Sequence, residues 1–133
     1  MRQLIATLTT FILLTLSCTV PKDARILKRA TRDWRKSETV LWAYNDSPFG
    51  STTLTLRDNH KFELTSSGFF MVWFKSGAWK YGQDTIKLSF VDKEMKEVKA
   101  QSVYIDRKKD RLYFRNADTT ELDLRLLLNK INE

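Results

Sequence analysis

From Thr39 onward, apolar side chains recur at every second residue in short bursts, and turn-forming residues separate the bursts. A period of two sends alternate side chains to opposite faces of an extended strand, so each burst predicts a strand with one greasy side. Val40, Trp42 and Tyr44 alternate with Leu41 and Ala43 before the turn segment Asn45-Asp46-Ser47-Pro48-Phe49-Gly50. Leu54 and Leu56 alternate with threonines; Asp58-Asn59-His60 then supplies a tight turn, and Phe62 and Leu64 resume the pattern. Phe69-Phe70-Met71-Val72-Trp73-Phe74 is apolar on both sides, which predicts a central strand or one covered on its outer face. If Phe70, Val72 and Phe74 point inward, then Phe69, Met71 and Trp73 point outward, either buried beneath the Trp34 segment or exposed as an interaction patch.

Gly77 to Gly82 leads through Gln83-Asp84 to Ile86, Leu88 and Phe90, a second hairpin. Gly77 suits a point where a side chain would collide, and Trp79 offers a large buried plate near one end of the core. Asp92 to Lys99 reads as a polar loop tip. Val103 and Ile105 are joined to Leu112 and Phe114 by Arg107-Lys108-Lys109-Asp110, and Leu122, Leu124, Leu126 and Leu128 make a closing strand. Eight or nine short strands at about ten-residue spacing predict an all-β fold: an antiparallel up-and-down meander forming a small barrel or half-barrel over residues 39–133.

Ahead of this domain the chemistry changes twice. Residues 1–17 hold Arg2 and then an apolar run from Leu4 to Leu16, a secretory signal too short to span a bilayer. Residues 18–38 form a basic tether or short amphipathic helix. Lys22, Arg25, Lys28, Arg29, Arg32, Arg35 and Lys36 face only Asp23 and Asp33 there, so most of the formal charge of +7 sits in this segment and the domain itself is nearly neutral. A nucleic-acid binder would spread that charge over its folded surface. Its place beside the signal fits either a solvated tether that keeps the domain soluble or a membrane-proximal modifier of orientation, where each cation near an anionic surface gains roughly 1 kcal/mol. Ile26, Leu27, Ala30 and Trp34 make a narrow apolar stripe, expected to pack over the mouth of the following domain.

The sole cysteine, Cys18, follows Leu16-Ser17 at the end of the apolar run. This arrangement resembles the lipobox of bacterial lipoproteins, which implies cleavage before Cys18 and acyl chains on its sulfur. Thr19, rather than Asp, in the next position implies the outer membrane under the sorting rule of such proteins. A lone cysteine leaves no disulfide within the chain, so stability must come from packing.

Three further segments carry a second resemblance: Leu54-Thr55-Leu56-Arg57-Asp58-Asn59-His60-Lys61-Phe62, Ser76-Gly77-Ala78-Trp79-Lys80 and Asp84-Thr85-Ile86-Lys87-Leu88. Together they are similar to small lipocalin-like bacterial lipoproteins. That likeness implies a lipid-anchored barrel facing the periplasm and brings no activity with it. Copper-responsive lipoproteins of related shape carry a Cys-x-x-Cys that this chain lacks.

Catalytic chemistry is sparse. His60 is the only histidine and falls in a turn, so neither a nucleophile with its base nor a zinc site is expected; Glu94 and Glu97 read as loop carboxylates. No phosphate-binding glycine loop occurs, and no cofactor is expected. The expectation is a non-enzymatic envelope lipoprotein whose barrel binds a small apolar ligand or an envelope protein through Phe70, Trp73, Trp79 and Phe90. A periplasmic lysozyme inhibitor is the alternative. It rests on Ser76-Gly77-Ala78, which resembles the Ser-Gly-Ala loop of anchored barrel inhibitors, although a basic lysozyme asks for an acidic partner.

Overall fold

The computed structural model describes residues 20–47, 50–68, 72–114 and 122–131. Among them, eight antiparallel strands close into one barrel: β1 (Thr39–Ser47), β2 (Gly50–Arg57), β3 (Lys61–Ser67), β4 (Val72–Gly82), β5 (Thr85–Val91), β6 (Glu97–Asp106), β7 (Arg111–Phe114) and β8 (Leu122–Asn129). Each strand pairs with the next, and β8 returns to β1 through Leu41↔Asn129, Trp42↔Leu128, Ala43↔Leu126 and Tyr44↔Arg125. The up-and-down meander is therefore a full barrel, not a half-barrel, and its sheet has no free edge.

Tight turns close one end of the barrel, here called the floor. His60 takes φ 62°, and Gln83 and Asp84 take 52° and 57°, the paired positive values that a two-residue hairpin needs to match strand twist. Asn59 Oδ1 accepts the Lys61 amide at 3.1 Å, and the side chain of Trp79 reaches back to donate to the Arg57 carbonyl at 2.9 Å. At the other end, the mouth, Ser67 and Val72 flank the β3–β4 connection. Asp92 there organises the β5–β6 turn by accepting the Glu94 and Lys96 amides at 2.9 and 3.0 Å.

Strand β4 corrects two expectations. The sequence reading places Phe69–Phe74 and Gly77–Gly82 in separate strands, but Val72–Gly82 runs as one. The facing is also reversed: Trp73, Lys75 and Gly77 line the inside in register with Ser66, Leu64 and Phe62 of β3, followed by Trp79, while Phe74, Ser76 and Ala78 look outward. Gly77 forces this phase. A Cβ there would meet the Ser89 carbonyl oxygen and stand 2.9 Å from Phe62 Cε1, so only a residue without a side chain fits beneath that ring.

Outward Phe74 is buried by α1 (Lys22–Ala30), which lays Ala24 and Leu27 on it with Val20 and Val91 at the edges. The apolar face of the helix is thus Ala24 and Leu27, followed by buried Thr31, and not the expected stripe, since Ile26 and Ala30 are exposed. Thr31 Oγ1 donates to the Leu27 carbonyl at 2.9 Å, and the chain tightens into a 3-10 turn at Arg32–Lys36. Trp34 lies near the floor, not over the mouth: its carbonyl accepts from Asn59 Nδ2 at 3.1 Å, and Lys61 Nζ stands 4.4 Å from its ring centre. No helix among the described residues is long and apolar enough to cross a membrane.

Because the Gly77 position is closed by backbone as well as by Phe62, Gly77→Ala should cost about 3 kcal/mol of folding free energy, measured by urea unfolding. Ala78→Gly, on the outer face beside it, should cost about 1 kcal/mol or less.

Candidate functional site at the barrel mouth

The barrel is solid around its middle. Phe62 and Phe90 meet edge-to-face with ring centres 5.1 Å apart, and Leu41, Leu54, Leu56, Ile86 and Leu88 pack around them with no exposure. Below them Trp79 stacks on His60 at 4.8 Å. This contact and its hydrogen bond to Arg57 make Trp79 a floor plate, as its residue type suggested.

Above the Phe62–Phe90 pair the inward positions change character. Leu64, Ser66, Trp73 and Lys75 line an open hollow of about 370 Å³ between β3 and β4. Trp73 is 48% exposed at its rim, whereas Phe90 beneath is only 4% exposed. Lys75 Nζ stands 5.9 Å from the Phe90 ring centre and Lys99 Nζ stands 5.4 Å from it, the second delivered by β6 through the Phe90↔Lys99 pairing. Each cation gains from the negative face of the ring, by about 0.5–1 kcal/mol where exposed. Neither has an ion-pair partner among the described residues. Burial first, and then repulsion from Lys99, hold the Lys75 ammonium below the usual lysine range. An anion set between the two lysines would relieve that repulsion.

Of the four residues expected to bind a ligand or partner, Phe70, Trp73, Trp79 and Phe90, the described ones do not share one hollow. Phe70 lies outside the described residues. Trp73 belongs to the mouth and Phe90 is the floor of the mouth region, linked to Trp73 through Lys75. Trp79 is cut off below by the Phe62–Phe90 pair and borders a separate hollow of about 330 Å³ with Val40, His60, Tyr81 and Ile131. Lys75 and Lys99 escaped the sequence reading. The signal was parity: Lys99 is in phase with inward Val103 and Ile105, but Asp92–Lys99 reads as a loop when β6 is begun at Val103.

Ser76-Gly77-Ala78 lies in the middle of β4 and not in a loop. Ser76 is fully buried and its hydroxyl donates to the Phe62 carbonyl at 2.7 Å, so the tripeptide offers no projecting loop to an enzyme cleft. His60, stacked on Trp79, is a structural turn residue.

Several of the N-terminal cations are bound to the protein itself. Arg35 donates to the Lys28 carbonyl at 2.8 Å and to Thr31 Oγ1 at 3.2 Å, and it shares the Phe74 ring with Lys28. Arg25 Nε donates to the Val20 carbonyl at 3.2 Å, and Lys36 pairs with Asp33 at 3.0 Å. Lys22, Arg29 and Arg32 are exposed, with Lys22 beside the mouth; Cys18 lies outside the described residues.

Since the folded state lowers the Lys75 pKa, the unfolded chain holds that proton more tightly. Stability then rises as pH climbs from the folded value toward the ordinary 10.5. Lys75→Met should therefore raise stability slightly at neutral pH and flatten the alkaline rise, read from thermal unfolding across pH. No protein-family model, curated protein or solved structure matches this chain.

Proposed function

We propose that this chain is a non-enzymatic lipoprotein of the bacterial envelope, anchored to the outer membrane through acyl chains on Cys18 and facing the periplasm. Its barrel takes a small, largely apolar ligand end-on at the mouth. The observation that carries the ligand reading is the hollow of about 370 Å³ between Leu64, Ser66, Trp73 and Lys75, with Lys75 and Lys99 above Phe90. Its size lies near the lower end of small-molecule sites, roughly 300–1,000 Å³. An apolar wall with convergent cations favours a slender molecule carrying an acidic group. No redox or nucleophilic step is needed for such a carrier or sensor.

The lysozyme-inhibitor alternative draws no support from the Ser76-Gly77-Ala78 geometry, because the tripeptide is internal to a strand. An envelope protein docking at the same open end is the reading that survives if no small molecule enters.

Titration of the purified protein with the fluorescent apolar probe N-phenyl-1-naphthylamine should show saturable enhancement. Leu64→Trp, which fills the hollow, should weaken the probe about tenfold or more, while Lys108→Ala at the floor turn should leave it unchanged. Dodecanoate should displace the probe better than dodecanol, and the preference should vanish in the Lys75→Met, Lys99→Met double variant. Absence of saturable enhancement in the unaltered protein would remove the ligand reading.

A further inference from the structure

Helix α1 begins at the mouth. Pro21, Lys22, Asp23 and Ala24 share a cleft of about 620 Å³ with Trp73, Lys75 and the β5–β6 turn, and Lys93 Nζ bonds Asp23 at 3.3 Å. From there the helix follows the wall over Phe74 and reaches the floor side at Trp34. The N-terminal attachment point of the folded body is therefore on the mouth rim. We infer that the barrel sits mouth-down, with the rim around Trp73, Lys75 and Lys99 seated on the lipid surface that carries the anchor.

This inference rests on the lipid anchor at Cys18, and lengths decide the orientation. Cys18 precedes Pro21 by three residues, which span about 10 Å at full extension. The headgroup layer of one leaflet accounts for roughly 5–7 Å of that. From Trp73 to Gly82, β4 covers about 23 Å along the barrel axis, given a rise near 3.3 Å per residue and a tilt near 40°. The tether is too short to bring the floor to the bilayer while α1 stays docked on Phe74.

The rim chemistry fits that seat. Trp73 presents an exposed, amphipathic ring suited to the headgroup level. Of the rim carboxylates, Asp23 is paired with Lys93, Glu94 with Lys96, and Asp92 is occupied by backbone amides. Among the described side chains on the α1 side of the rim, Glu97 is the remaining acid, against Lys22, Lys75 and Lys99. On that side of the rim the balance of uncommitted charge among the described residues favours anionic headgroups, whose attraction decays within a Debye length and so requires this closeness. A mouth in that position receives an amphiphile directly from the leaflet, without a passage through water.

The test uses the protein purified from membranes of expressing cells and reconstituted into vesicles of equal parts phosphatidylcholine and phosphatidylglycerol, with nitroxide placed on lipid headgroups. Tryptophan fluorescence should be quenched, Trp73→Phe should abolish most of the quenching, and Trp42→Phe, on the outer wall of β1, should leave it intact. In a second measurement on the unaltered protein, a water-soluble acylating reagent should modify Lys75 and Lys99 several-fold more slowly than Lys108 and Lys109 at the floor turn. Quenching that survives Trp73→Phe, or equal lysine reactivity at the two ends, overturns the orientation alone. A mass spectrum showing unmodified Cys18 overturns the anchor itself and this inference with it.

Discussion

Closure between β8 and β1 is the constraint on which the rest of the structure depends. It removes the sheet edges that would otherwise invite pairing with other chains. With eight strands the interior is just wide enough for side chains to fill, so the size of each inward residue decides where the barrel is solid and where it is open. Phe62, Phe90 and Trp79 fill the lower part. Toward the mouth the inward positions pass to Leu64, Ser66, Lys75 and Lys99, which leave room and bring charge.

Two features of β4 connect that interior to the outside. Gly77 admits the Phe62 ring from within, and the resulting phase turns Phe74 outward, where it would be exposed on an unadorned barrel. Helix α1 supplies the cover through Ala24 and Leu27. The helix is itself short and basic, and its isolated stability would be small, so docking on Phe74 is what holds it in place. The same contact sets which end of the barrel the N-terminal tether leaves from. A packing requirement of one aromatic residue thereby links the barrel interior to the end of the barrel from which the N-terminal segment departs.

Much of the fold was legible because antiparallel strands with one buried face write their period directly into the sequence. Leu54 and Leu56, Ile86 and Leu88, and Leu112 and Phe114 all lie inside as their alternation implies. Phe69–Phe74 was not legible in the same way, since a run that is apolar on both faces has no parity to read; Gly77, several residues later, settled it through a steric contact with another strand. The candidate site was only half visible. Trp73 and Phe90 stood out as aromatics, but Lys75 and Lys99 resemble solvent-facing residues until strand pairing places them over one ring.

By itself the sequence determined the all-β class, the positions of most turns and the separation of a basic leading segment from a nearly neutral domain, since these follow from local periodicity, backbone preference and charge. Tertiary structure alone decided that the sheet closes, which face of α1 is buried and that Trp73 and Trp79 belong to opposite ends of the barrel. Those outcomes depend on contacts between residues far apart in the chain. No local pattern records them, because the energy of each resides in the fit between two strands, or a strand and a helix, and not in either one.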